Sequence, residues 1–167
     1  TSDGVDDGIT TPDASNLDLS TFSIEVWVNF DLHKNFSSIM TKPKIANDAD
    51  FFNYGFFCYS TAIQFFIGDG GDGTREFVGI SLLTVPINSW HCMVGTYNGS
   101  IMRFYVDGEQ EGTNSTTITP LQNSGTLRII DPSFSIDGKV SIGRVYDRAL
   151  TATEVAHNYN VIKARFD

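Results

Sequence analysis

The chain has 167 residues with 20 acids against 11 bases, and its net charge of −9 disfavours nucleic acid and an anionic membrane surface as partners, because both need a cationic face. Hydrophobic residues make up 41% and charged residues 19%, the balance of a folded domain with a sizeable core, not of a disordered segment. No apolar run approaches the roughly 18 residues that insertion across a membrane requires.

In chain order, "DGVDDGI" (Asp3 to Ile9) is turn-rich and carries Asp3, Asp6 and Asp7. "FSIEVWVNF" (Phe22 to Phe30) alternates like a strand. Ile24, Val26, Val28 and Phe30 fall on one face, and Glu25, Trp27 and Asn29 on the other. "SSIMTK" predicts a shorter strand. "FFNYGFFCYS" and "AIQFFIG" are aromatic and apolar on both faces, which predicts strands covered on two sides or one face forming a groove. "EFVGISLL", "SWHCMVGTYNGS" and "IMRFYVDGE" follow, with hairpin turns at Asn98-Gly99 and Asp107-Gly108. "TNSTTIT", "TLRII" and "KVSIGRVY" complete about ten strands or more at sandwich-like spacing, without βαβ alternation. No internal repeat or linker divides the chain. The pattern predicts one antiparallel β-sandwich domain over residues 1–167, with strands to about residue 147.

The tail changes character. Thr151 and Glu154 form a capping box, and Leu150 and Val155 form a hydrophobic staple. Val155, Tyr159, Ile162 and Phe166 then lie on one helical face, predicting a helix over about 151–163. That face needs cover from the sandwich, a sheet edge, or a neighbouring domain or subunit. Cys58 and Cys92 sit in apolar strands and read as buried free thiols, with a cross-strand disulfide as the alternative.

Four blocks in order carry a family resemblance: "DGVDDGI", "FSIEVWVNF", "SWHCMVGTYNGSIMRFYVDGE" and "DGKVSIGRVYDRALTATEVAHNYN". They resemble laminin-G-like domains of the concanavalin A-like jelly-roll superfamily. The tail "YDRALTATEVAHNYNVIKARF" is similar to tails of such domains in tailed-phage structural proteins. The resemblance implies an all-β, two-sheet antiparallel jelly roll of about 13–15 strands with a short C-terminal helix. It also implies a non-catalytic binding or display role on the virion surface, as capsid decoration, head fibre or tail appendage. The implied partners are other virion proteins, a host-surface glycan, or further copies of the chain in a homo-oligomer. The alternatives are a carbohydrate-binding or adhesion module of an extracellular protein, and a degenerate glycanase. Three positions depart from the family pattern. Ser141 stands where relatives carry a calcium-holding Asp, Cys92 where they often carry His, and Gly8 where they often carry Tyr.

Catalysis finds little support in the residues. Jelly-roll glycanases cluster acids as E-x-D-x-x-E for a two-carboxylate mechanism, whereas Glu25 is the one acid in its aromatic-rich strand. His33, His91 and His157 suggest neither a Ser/His/Asp arrangement nor a metal-ligand spacing. For a cation, "GDGGDG" offers Asp69 and Asp72 on a glycine loop. If strands reverse in turn, this loop shares a rim with Asp48 and Asp50, the Asn98-Gly99 hairpin and the Thr119 to Asn123 loop. Carboxylates crowded there need solvent, separation or a cation, so the rim is the expected calcium site. Asp3, Asp6 and Asp7 are the competing site. Solvated turns explain both groups equally simply. For a sugar, the candidate contacts are Trp27 with Glu25 and Asn29, then Tyr54, Tyr59 and Tyr97; core packing is the competing role for Trp27 and Trp90.

Overall fold

The computed structural model describes residues 1–43, 52–59, 61–69, 74–121 and 123–166. Twelve strands occur among them: β1 (Ser2–Asp3), β2 (Ile9–Thr10), β3 (Phe22–Leu32), β4 (Ser37–Pro43), β5 (Phe52–Cys58), β6 (Ala62–Gly68), β7 (Arg75–Ser81), β8 (Trp90–Tyr97), β9 (Ile101–Val106), β10 (Glu109–Ser115), β11 (Arg128–Ile129) and β12 (Asp137–Tyr146). They form two six-stranded sheets, ordered β1-β12-β3-β8-β9-β10 and β2-β11-β4-β5-β6-β7. Neighbouring strands are antiparallel in both sheets. The predicted jelly roll is therefore present, with twelve described strands where the resemblance implied a few more.

Three expected strands are shorter for local reasons. After "EFVGIS", Ser81 accepts a hydrogen bond from the Leu83 amide and turns Leu82–Thr84 into a 3-10 helix. "TLRII" keeps only two strand residues, because Ile130 adopts a φ of 61° and Asp131 caps a 3-10 turn at Pro132–Phe134. "TNSTTIT" leaves the ladder after Ser115, and the Thr116 amide bonds instead to the Ser100 carbonyl at 2.9 Å. Both predicted hairpins form. Asp107 and Gly108 take φ values of 52° and 89°, the positive pair that a two-residue turn needs to match strand twist.

The sheets enclose one core. Ile24, Val26, Val28 and Phe30 of β3 pack with Ile39, Phe56, Phe65 and Phe104, all fully buried. Cys58 and Cys92 are buried free thiols. Burial pushes the Cys58 thiol up to about 11 and raises that of Cys92 as well.

Helix α1 (Ala152–Ile162) starts as predicted. Thr151 Oγ1 accepts from the Glu154 amide, and Glu154 Oε2 accepts from the Thr151 amide at 2.8 Å. The helix lies on the outer face of the first sheet. Leu150, Val155 and Ile162 join Trp27, Cys92, Val94 and Tyr105 in a second buried cluster. Full burial of each aliphatic side chain stabilises by about 1.5–3 kcal/mol, which is what holds so short a helix on the sheet. The open side of the sandwich is closed separately, where Asn114 Nδ2 of β10 donates to the Phe77 carbonyl of β7 at 3.2 Å. The opposite edges, β1 and β2, are two residues long, too short to template another strand. No helix among the described residues is long and apolar enough to cross a membrane.

Candidate functional site

The face carrying Glu25, Trp27 and Asn29 is not an open platform. Helix α1 covers it: Trp27 is 1% exposed and stacks on Phe166 at 4.2 Å and Tyr159 at 5.7 Å. Glu25 is fully buried. Its Oε1 accepts from Arg144 Nη1 at 2.5 Å, and its Oε2 from Tyr146 Oη at 2.9 Å and Asn158 Nδ2 at 3.3 Å. One carboxylate thus ties β3, β12 and α1 together. Burial, reinforced by the Glu25 charge, pushes the Tyr146 hydroxyl up to about 12. The expectation of a Glu25/Trp27 contact surface is corrected here, because the apolar face of the tail helix takes that surface.

Tyr54 and Tyr97 are corrected likewise. Their rings point into the main core, and each hydroxyl anchors a crossing loop: Tyr54 to the Leu17 carbonyl at 3.0 Å, Tyr97 to the Ile118 carbonyl at 2.6 Å. Burial raises both hydroxyl pKa values.

Tyr59 remains, half-buried just after β5. Alternation along β5 and β6 sends Phe57 and Phe66 to the outer face of the second sheet, opposite the inward Phe56 and Phe65. Tyr59 lies 5.0 Å from Phe57 and 5.1 Å from Phe36, and Phe134 lies 5.9 Å from Phe57. The Arg75 guanidinium sits 6.0 Å over the Tyr59 ring. Phe36 is the unusual member. It occupies the tight turn between β3 and β4 with a φ of 58°, and it is 55% exposed. A bulky residue in the left-handed region costs about 1–3 kcal/mol. Leaving a Phe ring in water also forgoes much of the roughly 1.5–3 kcal/mol that burial supplies. Sequence reading missed Phe36; its only signal was a lone aromatic in the polar stretch "HKNFSS".

The rim exists in its described part. The Asn98 hairpin reaches Thr116, Asn114 Nδ2 reaches Glu76 Oε2 at 3.3 Å, and Asn53 Nδ2 donates to the Leu121 carbonyl at 2.6 Å. Asp69 stands exposed at the end of β6, and its amide donates to the Thr74 carbonyl at 3.4 Å. Asp48, Asp50 and Asp72 lie outside the described residues. No group of three metal-ligating side chains occurs among the described residues. Asp3, Asp6 and Asp7 are exposed, and two of them organise a turn: Asp3 Oδ1 accepts from the Val5 amide and Asp7 Oδ2 from the Asp3 amide, both at 3.0 Å. Ser141 lines a small cavity of about 180 Å³ beside Asp7 and Gly8. A Cβ on Gly8 would meet the Pro132 ring at 2.5 Å, which explains why the Tyr of relatives is not accommodated here.

The family model of the concanavalin A-like lectin/glucanases superfamily, in its laminin-G form, matches residues 3–156. The chain belongs to this superfamily. No curated protein sequence matches it. Among solved structures, the binding domain of botulinum neurotoxin DC in complex with rat synaptotagmin II aligns with a TM-score of 0.70 at 13% identity, over 93% of this chain and 40% of that one. Trypanosoma rangeli sialidase in complex with 2,3-difluorosialic acid aligns at 0.70 with 14% identity, over 98% of this chain and 27% of that one. Domain 4 of an extracellular arabinanase from Geobacillus stearothermophilus, in complex with arabinotriose, aligns at 0.59 with 17% identity, over 90% of this chain and 71% of that one. The likeness concerns the fold. This chain spans well under half of the neurotoxin and sialidase chains.

The laminin-G-like domain also contains a hydrogen-bonded Ser/His/Asp chain that its sequence did not suggest. Ser89 Oγ lies 2.8 Å from His91 Nε2, and His91 Nδ1 lies 2.8 Å from Asp107 Oδ2. The β9–β10 hairpin brings Asp107 back to β8. Asp107 is clamped there twice more, its Oδ1 accepting from the Cys92 amide and its own amide donating to the Cys92 carbonyl, each at 2.9 Å. This is the bonding of a turn clamp: Asp107 holds the hairpin, His91 packs behind it at 9% exposure, and Ser89 also points to the Pro86 carbonyl at 3.3 Å. Beside the helix, an open groove of about 400 Å³ contains Glu154, whose carboxylate is committed to Arg148 and Thr151.

Proposed function

We propose that this domain is a non-catalytic carbohydrate-binding module whose contact surface is the aromatic outer face of the second sheet, around Phe36 and Tyr59. The observation that carries the reading is Phe36, a strained and exposed aromatic whose placement disfavours folding and favours contact. Tyr59 and Phe36 supply faces on which a sugar ring can lie. Arg75, exposed at the edge and in no ion pair among the described residues, supplies donors for hydroxyl or acidic substituents. The superfamily membership supports lectin-like binding, as does the arabinotriose complex of the structurally similar arabinanase domain.

The finer reading places the domain on a virion surface, as capsid decoration, head fibre or tail appendage. There it would contact other virion proteins or host glycans and assemble with its own copies. It rests on the sequence of the tail from Tyr146 to Phe166. An adhesion or carbohydrate-binding module of an extracellular protein is the second reading. Adjacent capsid or tail genes support the first, and a hydrolase in the same chain supports the second.

A glycan array followed by a hydrolysis assay on every bound glycan tests the function. Wild type binds a subset of glycans and releases no product, and Tyr59→Ala lowers affinity at least about tenfold, roughly 1.4 kcal/mol. Binding that survives in both Tyr59→Ala and Phe36→Ala moves the site elsewhere. Product release overturns the non-catalytic reading.

A further inference from the structure

Lys42 of β4 is completely buried, and its ammonium is surrounded by oxygens from two remote segments, residues 13–18 and 123–125. Nζ lies 3.0 Å from Asp13 Oδ1, 3.4 Å from Asp18 Oδ1, 3.3 Å from the Asn123 carbonyl and 2.6 Å from the Gly125 carbonyl. The loop carrying those carbonyls is fitted to the position. Asp18 Oδ1 also accepts from the Asn123 amide at 3.2 Å, Asn123 Oδ1 accepts from the Gly125 amide at 2.6 Å, and a Cβ on Gly125 would meet the Pro43 carbonyl at 2.2 Å. Two carboxylates and two peptide carbonyls converging on one point are the donor set of a hard divalent cation, and here a cation already stands at that point.

We propose that these four oxygens form a cation site whose resident ion is the chain's own Lys42 ammonium, and that the site takes calcium once that ammonium is removed. The lysine neutralises the carboxylates and pins residues 13–18 and 123–125 to β4. This part of the rim therefore holds its shape without added metal. Two carboxylates facing one ammonium leave the cage one negative charge in excess, so loss of the ammonium leaves paired carboxylates that repel unless another cation enters. Alanine ends at Cβ, four atoms short of Nζ, which leaves the centre of the cage free.

The test compares wild type with Lys42→Ala by thermal melting in EDTA and across a calcium titration to millimolar concentration. Lys42→Ala melts lower than wild type in EDTA and regains roughly 5–10 °C at calcium a hundredfold above its Kd, a response that wild type lacks and that adding Asp13→Asn abolishes. Equal responses of wild type and Lys42→Ala overturn the proposal. So does a calcium response that survives Asp13→Asn. If Lys42→Ala fails to fold even in calcium while Lys42→Ala with Asp13→Asn and Asp18→Asn folds, relief of repulsion alone matters, the cage does not accept an ion, and the proposal falls.

Discussion

Replacing Phe36 separates its part in folding from its part in contact. Phe36→Ala removes the ring but keeps a Cβ at a φ of 58°, so the strain stays. Phe36→Gly removes both. The ring is 55% exposed, so its packing on Phe57 and Tyr59 contributes about half of a fully buried Phe, roughly 0.7–1.4 kcal/mol. Relief of left-handed strain returns about 1–2 kcal/mol in the glycine variant, and the greater freedom of glycine in the unfolded chain takes back about 0.4–1 kcal/mol. Glycine therefore comes out close to wild type. Alanine loses the ring's packing and recovers little, leaving it about 1 kcal/mol below glycine. For a domain of this size that difference is roughly 2–4 °C in melting temperature, resolvable by calorimetry and by urea titration. Both variants lose glycan binding equally, because the ring and not the backbone makes the contact. If alanine proves as stable as glycine, Phe36 carries no strain. If a near-neutral glycine variant binds as wild type does, Phe36 is not kept for contact.

Phe166→Ala, which removes the ring stacked on Trp27, lowers stability by roughly 1–3 kcal/mol. It also red-shifts tryptophan emission as Trp27 becomes wet; unchanged emission would show that the helix does not depend on this stack. Arg148, and after it the Thr151 amide, hold the exposed Glu154 carboxyl at about 2, below its ordinary 4.5. Its contribution is thus present above about pH 4.5 and is lost as pH falls through 2. Wild type and Glu154→Gln consequently converge in melting temperature across that window, and parallel curves refute the cap's part in acid stability. Ser89→Ala loses one hydrogen bond, about 0.5–1.5 kcal/mol, and leaves p-nitrophenyl acetate hydrolysis at the wild-type rate. A tenfold drop would show that Ser89 is a working nucleophile.

Elements governed by neighbours in sequence were legible, and surfaces governed by distant residues were not. The alternation of β3 correctly separated Ile24, Val26, Val28 and Phe30 from Glu25, Trp27 and Asn29, and the Thr151/Glu154 box fixed the start of the helix. Which face would remain open was not encoded locally. Trp27 looked available because Phe166, which covers it, stands 139 positions away. Phe36 went unread because its partners belong to β5 and the residue after it. The Ser89–His91–Asp107 chain needed a hairpin to close it, and the Lys42 cage needed three segments to meet.

The two outer faces of the sandwich have opposite fates, and the difference bears on function. On the first sheet, Trp27, Trp90, Tyr159 and Phe166 stack among themselves, and the buried Glu25 spends both oxygens on Arg144, Tyr146 and Asn158. A sugar approaching there meets a helix, and a hydrolytic mechanism there would need Glu25 freed from three partners and joined by a second carboxylate. On the second sheet, aromatic rings gather around Tyr59 and leave Phe36 in solvent with Arg75 at the margin. The tail helix thus makes the first face a second core. The aromatic surface left for contact with another molecule is on the second sheet, and chemistry that stacks and hydrogen-bonds fits it better than chemistry that cleaves.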